Sequence, residues 1–475
     1  MDGSRVRPAD RRRATKGWRT GTLRAIAALL GSGWPIAAAA QMVAPTPQPP
    51  GVPVTPEQAA EIETQNWAVH GQSTFTWMLQ PAFHAPYTGP QSLQPDANGR
   101  ETFDATLYAG FRPWPGGEIW INPEVDQGFG LSNTFGVAGY PSGEAFKLGK
   151  VAPYVLVQRG FLRQTIDLGG QTQALEPDLN QLGGIQTANR VVSTVGKYSV
   201  VDIFDTNKYA HDPRNDFLNW SIIDIDSFDY AANSWGYTYG GTVEWYQNWW
   251  TLRTGMFDLS TEPNSNNLSP NFAQLQFVTE VEERHQLWGQ PGNLKFLYWI
   301  SRGNLGSYLD AVSFGEALGE PPSTAAVRTQ RTKDGVGLNF AQQIAPDFGI
   351  FARAGLSQGT VEEIDFTDIN QSISGGLSLA GSRWGRRDDT FGLAGAINRI
   401  SHQGKLYLAA GGLGGIIGDG RLPNAGPEQI VEAFYRVDVL GWAHFGLDYQ
   451  FINNPAYNRD RGPVSVFTLQ LHLQY

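Results

Sequence analysis

The chain has 475 residues, of which 56 are glycine, 12% are aromatic and none is cysteine. Without cysteine there is no disulfide framework, no thiolate metal site and no cysteine nucleophile. Residues 1–40 carry 8 of the 35 Lys and Arg and 2 of the 45 Asp and Glu. The remainder therefore has 27 basic against 43 acidic side chains, a net −16, which argues against nucleic acid as a partner.

Residues 1–40 read as a secretory leader. Arg5, Arg7, Arg11, Arg12, Arg13, Lys16, Arg19 and Arg24 form a basic segment, Ala25 to Ala40 is apolar, and small residues precede Gln41. The apolar run is broken by Gly31, Gly33 and Pro35, too short and irregular for a comfortable membrane span. Residues 41–65 are a Pro-rich linker in which 56–63 could form a short periplasmic helix.

From residue 66 to 475 the pattern is one of strands. Trp67 to Gln80 sets Trp67, Val69, Phe75, Trp77 and Leu79 against His70, Gln72, Thr74, Thr76 and Gln80. Period two means a strand with one apolar and one polar face. The same alternation runs through Phe103–Arg112, Trp235–Trp245, Ala273–Glu282, Leu294–Arg302, Val336–Ile344, Ile350–Leu356, Ile373–Leu379, Phe391–Ile397, Gln429–Val439 and Ala443–Phe451. It ends with Phe467, Leu469, Leu471, Leu473 and Tyr475 against Thr468, Gln470, His472 and Gln474. The polar faces repeatedly carry charge: Asp104, Arg112, Glu244, Arg253, Glu280, Glu282, Arg353, Glu432, Arg436 and Asp448.

Roughly sixteen to eighteen such segments of about ten residues match the length of a membrane-crossing strand. Mean hydropathy is only −0.31, as expected where lipid-facing and lumen-facing residues alternate. Periodicity alone leaves open which face points inward. The leader, the strand number and the aromatic terminus together predict an all-β fold, a transmembrane antiparallel up-and-down β-barrel of about 16 (16–18) strands in the outer membrane of a Gram-negative bacterium. In such a barrel Tyr475 would sit at the interface, and the last strand would be what the barrel-assembly machinery engages.

Four collinear blocks sharpen this. They are Gly116–Gly130 (GGEIWINPEVDQGFG), Arg159–Thr165 (RGFLRQT), Gly196–Trp220 (GKYSVVDIFDTNKYAHDPRNDFLNW) and Tyr457–Val464 (YNRDRGPV). In these the chain resembles the carbohydrate-selective porins of the OprB type. The resemblance implies a sixteen-stranded barrel that passes small neutral sugars through a narrowed pore lined by charged and aromatic side chains. The resulting expectation is passive, selective diffusion of monosaccharides such as glucose. The alternatives are a general diffusion porin, a barrel hydrolase and, against the acidic balance, an exporter of acidic polysaccharide. Outer-membrane lipid is a further expected partner, and the assembly is a monomer or a homotrimer.

A sugar needs hydrogen-bond donors and acceptors around its hydroxyls, which Arg, Asp, Glu and Asn supply. The candidates are Arg159, Arg163, Glu124, Asp126, Lys197, Asp202, Asp205, Asn207 and Arg214. Arg159 and Arg163 are four apart and share a strand face; they line a constriction or neutralise acidic neighbours. Glu124 and Asp126 are expected on a loop folding into the lumen or on an extracellular turn. The block containing Lys197, Asp202, Asp205, Asn207 and Arg214 is either a sugar contact or a loop knitted by salt bridges.

Signs of catalysis are weak. The seven histidines show no metal-ligand spacing. Gly411–Gly418 lacks the Lys-Ser/Thr ending of a phosphate loop. Asp224, Asp226 and Asp229 lack the spacing of a calcium loop, and no nucleophile elbow occurs. No cofactor is expected.

Overall fold

The computed structural model describes residues 51–146, 149–231, 236–268 and 271–475. The predicted leader, the first part of the linker (41–50) and Trp235 lie outside these residues. A two-residue strand β1 (Val52–Pro53) and a short helix α1 (Pro56–Glu61) come first. Thr55 caps α1, its hydroxyl accepting from the Gln58 N–H while the Gln58 side chain returns to the Thr55 N–H.

Sixteen strands follow: β2 (Trp67–Gln80), β3 (Asn98–Phe111), β4 (Gly117–Gly128), β5 (Lys150–Leu175), β6 (Gly184–Ser199), β7 (Tyr237–Gln247), β8 (Trp250–Asp258), β9 (Leu275–Leu287), β10 (Gln290–Gly306), β11 (Arg328–Ala345), β12 (Phe348–Ser357), β13 (Gln371–Ala380), β14 (Thr390–Arg399), β15 (Glu428–Asp438), β16 (Ala443–Asn453) and β17 (Val464–Gln474). Each pairs antiparallel with the next, and β17 pairs with β2, from Phe467 opposite Leu79 to Gln474 opposite Gln72. The sheet is thus a closed barrel without edges, the form in which strands satisfy every ladder hydrogen bond inside a membrane.

Burial settles which face is which. On β17, Phe467, Leu469 and Leu471 are exposed while Thr468, Gln470, His472 and Gln474 are buried. The apolar face therefore looks outward along the wall, the reverse of a soluble protein. Among the described residues no helix is long and apolar enough to cross a membrane. One end of the barrel carries short turns and a ring of exposed tryptophans: Trp114, Trp249, Trp288, Trp384 and Trp442 lie in the β3–β4, β7–β8, β9–β10, β13–β14 and β15–β16 connections. Trp67 and Tyr475 join them at the same end, where Gly71 and Tyr475 exchange backbone hydrogen bonds. Short turns mark the periplasmic side, and the tryptophans form the aromatic girdle of that interface.

The lumen is not an open tube. The β4–β5 connection buries Leu131, Val137, Ala138 and Tyr140 within it, and the β6–β7 connection buries Phe204, Phe217, Trp220, Ile222, Ile225 and Phe228. These side chains meet inward-facing wall residues. Phe217 packs 5.5 Å from Phe351 and 4.8 Å from Phe434, and Phe228 lies 4.9 Å from Trp299. Each large apolar side chain so buried contributes about 1.5–3 kcal/mol. The wall yields where the segment comes closest: a Cβ at Gly355 would collide with Ile225 and Ser227, and one at Gly337 would lie 2.6 Å from Ile225 Cδ1.

A constricted lumen of paired charges

Glu124 and Asp126 are on β4, not on a loop or an extracellular turn. The alternation there is strict: Glu118, Trp120, Asn122, Glu124 and Asp126 are buried toward the lumen, while Ile119 and Ile121 are exposed outward. Their neighbours on β5 are displaced by a bulge, because Asn122 lies opposite Arg159 but Pro123 opposite Val157. The extra residue, Gln158, turns inward with Arg159. Its amide donates to Glu124 Oε1 at 3.0 Å and to Asp126 Oδ2 at 3.2 Å.

Arg159 and Arg163 share the lumen face, as their spacing predicts. Arg159 is 1% exposed and makes a bidentate pair with Asp202, Nε to Oδ2 2.7 Å and Nη2 to Oδ1 2.6 Å. Its guanidinium lies 4.8 Å from the centre of the Tyr237 ring. Asp202 is held in place by the Ser199 N–H at 2.9 Å. Arg163 donates to the Asn180 carbonyl at 2.7 Å and lies 3.4 Å from Glu118.

Arg214, on the β6–β7 segment, gathers the acidic wall. It lies 3.2 Å from Asp104 on β3, 3.9 Å from Glu124 on β4 and 3.4 Å from Glu144 of the β4–β5 connection. Asp205 and Asn207 face the opposite wall. Asp205 accepts from Arg353 Nε at 3.1 Å and Asn339 Nδ2 at 2.6 Å, and its N–H donates to Glu280 at 2.9 Å. Asn207 donates to Asn339 Oδ1 at 2.6 Å. Lys197 stands apart: it shares the outer face with Val195 and donates to the Val157 carbonyl at 2.8 Å, so it does not join the lumen cluster. Its β-partner Tyr239 is also exposed outward.

Residues outside the candidate set complete the arrangement. Arg253 bridges Glu244 (3.1 Å), Glu280 (2.8 Å) and Glu282 (2.6 Å). Lys333 pairs with Glu363 and lies 3.3 Å from Asp229. Asp229 also accepts the backbone N–H groups of Ile364 and Asp365, and Asp226 pairs with Ser221, so these carboxylates serve internal bonds. Among the described residues no group of three or more His, Asp or Glu is arranged to hold a metal ion. Arg253, Glu280, Glu282 and Arg353 all sit on polar faces that the alternation reveals; Arg253 meets its glutamates on the neighbouring strands, whereas Arg353 reaches Asp205 on the distant β6–β7 segment.

Burial moves the titration of groups on the inserted segment. It pushes Asp224 up to about 7, with the charge of Asp205 adding and Arg353 opposing. It pushes His211 down to about 4, helped by Arg353.

Residues 90–475 match the family model of the carbohydrate-selective porins, OprB family. No match was found among curated protein sequences. Among solved structures, the high-pH structure of Pseudomonas putida OprB superposes with a TM-score of 0.65 at 15% identity, covering 86% of this chain and 94% of that one. The low-pH structure of the same protein gives 0.47 at 10% identity, covering 86% and 93%. The outer membrane channel DcaP of Acinetobacter baumannii gives 0.44 at 10% identity, covering 86% and 97%. With apolar strands facing outward, a closed wall of sixteen and a polar lumen narrowed from within, the chain belongs to the OprB family of carbohydrate-selective porins, sugar-selective channels of the Gram-negative outer membrane.

Proposed function

We propose that the channel passes neutral monosaccharides such as glucose by passive diffusion. In this reading Arg159, Arg163, Glu124, Asp126, Asp202 and Arg214 supply the polar contacts at its narrowest part, while Asp205 and Asn207 anchor the inserted segment. The observation that carries the reading is the pairing of lumen charges: Arg159 with Asp202, Arg214 with Asp104 and Glu144, Arg253 with three glutamates. Charges of both signs side by side offer strong donors and acceptors to hydroxyls, and the excess of carboxylates around Arg214 and Arg253 disfavours anions. A few such bonds, each worth about 0.5–1.5 kcal/mol net, support only millimolar binding, which suits a channel that must release its ligand.

Swelling of liposomes containing the protein tests this. Glucose should enter faster than a disaccharide and faster than gluconate, an anion of similar size. Equal rates for large and small solutes would establish a general diffusion porin. Phospholipid esterase activity abolished by one Ser–His double substitution would establish a hydrolase. Light scattering in detergent separates a monomer from a homotrimer. Deleting the apolar face of β17 should impair insertion by the barrel-assembly machinery, the partner proposed for this strand.

A further inference from the structure

The β5–β6 hairpin does not stop with the barrel wall. The last pair between β4 and β5 is Gly117 with Gln164, and the last between β6 and β7 is Arg190 with Tyr246. Beyond these, Ile166–Leu175 and Gly184–Asn189 continue as a two-stranded arm on the side of the short turns. The arm's ladder is interrupted: Asp167 pairs with Arg190, Gly169 with Asn189, and then Thr172 with Thr187. Gly169 and Gly170 both adopt positive φ, 93° and 90°, a conformation that side-chain-bearing residues rarely take. A Cβ at Gly169 would meet nothing within 4 Å, so the glycine answers to backbone bending and not to close packing.

The bend carries the tip of the arm, residues 176–183, back under the lumen. Leu179 and Leu182 are 3% and 0% exposed and belong to one buried apolar cluster with Tyr108, Trp120 and Phe161, all inward-facing on β3, β4 and β5. Lumen-facing Arg163 donates to the Asn180 carbonyl, and Arg112 Nη2 donates to the Gly183 carbonyl at 3.3 Å. The segment before β2 straps the arm down. Val52 and Pro53 pair with Ala174 and Gln173, and the Val54 N–H donates to the Thr172 carbonyl at 3.0 Å. The Gln65 N–H donates to Gly183 O at 3.1 Å, and Gln65 Oε1 accepts from the Gly183 N–H at 2.9 Å.

One part of this closure is poorly satisfied. The Asn180 side chain is 2% exposed, yet both ends of its amide lack a hydrogen-bond partner among the described residues. A buried, unpaired carboxamide penalises the position that buries it. The tip is thus held by a few hydrogen bonds and two leucines and opposed by its own asparagine, and a glycine pair behind it can bend.

We propose that this hairpin tip is the exit gate of the channel and a second determinant of solute size, swinging about Gly169–Gly170 to let solutes into the periplasm. The gate is independent of which sugar the constriction prefers, because ion current reads it without any sugar. Wild-type conductance therefore tests the channel, and the variants below test the gate.

Two variants of the full chain serve. In the first, residues 176–183 are replaced by Asn-Gly, a two-residue turn that joins the paired Leu175 and Gly184. Single-channel conductance should rise severalfold, and disaccharides should enter liposomes. The second is R163C/N180C, whose two thiols are the only ones in a chain that has no native cysteine. A reducible bifunctional methanethiosulfonate linker between them should lower conductance severalfold, and reductant should restore it to the level of the same variant before linking. Unchanged conductance after complete linking, or an assembled Asn-Gly variant that conducts and excludes disaccharides as wild type does, would overturn the proposal. If the Asn-Gly variant fails to assemble, the linker experiment decides.

Discussion

Replacing Arg353 by alanine should loosen the inserted β6–β7 segment and widen the pore. Arg353 stands on β12, across the lumen from the strands that the segment connects. Its 2% exposed guanidinium donates to Asp205 Oδ1 (3.1 Å), the Asp205 carbonyl (3.0 Å), the Ala210 carbonyl (2.7 Å) and the Ile222 carbonyl (2.8 Å). One side chain therefore ties three separated points of the segment to the wall. Its loss leaves the Asp205 carboxylate buried without its cation, a defect that costs about 3–5 kcal/mol when a buried pair is broken. Asn339 and Glu280 still hold Asp205, and Glu432 still accepts the Leu218 and Asn219 N–H groups. The cost therefore appears as local opening and not as loss of the barrel. At 1.4 kcal/mol per decade it raises the open population of the segment by about a hundredfold or more. Planar-bilayer recording should show higher and noisier conductance, and liposome swelling should show weaker discrimination between mono- and disaccharides. Heat-modifiable migration on a gel checks that the barrel assembles. An assembled R353A channel with wild-type conductance and discrimination would refute the idea that this arginine sets the position of the segment.

Replacing Arg159 and Arg163 together by alanine should weaken sugar block of the ion current and raise conductance; unaltered block in an assembled barrel would reduce both to wall structure. Gly355→Val should displace the inserted segment, because even a Cβ collides with Ile225 and Ser227; conductance should change while β-structure by circular dichroism does not. The gate should also respond to pH through Asp178 in its tip. Burial pushes this carboxyl from its ordinary 3.8 up to about 6, the Leu179 N–H opposes that, and the charge of Asp212 on the inserted segment adds to it. A raised value means that the closed position is favoured fully below about pH 4 and loses ground as pH rises through 6, by up to about 3 kcal/mol. Conductance should therefore fall on acidification from pH 7 to 4.5, and D178N should flatten that slope; an identical slope in D178N would remove Asp178 from the gate.

The wall was legible in the sequence because a barrel strand repeats one rule every two residues. β16 and the second half of β17 follow it closely, while Met78 on β2 and Val466 on β17 place apolar side chains on the inner face. Periodicity alone does not say which face looks inward, since a polar face fits solvent and lumen equally well; the strand number and the aromatic terminus point to the barrel, in which the polar face is the inner one. β4 does not read as a strand because Pro123, Glu124 and Asp126 look like loop residues, although Ile119, Ile121 and Val125 keep the alternation beside them. The same parity would have separated Lys197 from Tyr198, which faces inward at 1% exposure. The inserted segment has no period to read. Phe204, Phe217 and Phe228 are spaced by the wall contacts that they make, with Phe257, with Phe351 and Phe434, and with Trp299, all on strands that come later in the chain.

That irregular segment explains why this barrel can afford so many buried ions. A charge in the lumen is costly when it is both desolvated and alone. Here the inserted chain does the desolvating and also brings the partners: Asp202 to Arg159, Arg214 to Asp104, Asp229 to Lys333. Wall charges and segment charges are therefore complementary parts of one arrangement. It follows that exchanging a wall charge alone should be worse than exchanging both members of a pair. The Arg159–Asp202 pair is the best place to look, because its bidentate geometry allows little substitution of one donor for another. D202A leaves Arg159 buried beside the Tyr237 ring with no counter-charge, whereas R159M/D202A removes the charge with its partner. A double-mutant cycle read by conductance and by thermal resistance of the assembled barrel should give a coupling of about 3 kcal/mol. Additive effects would mean that the two side chains meet in space without depending on each other, and the wall would then hold its charges without help from the segment.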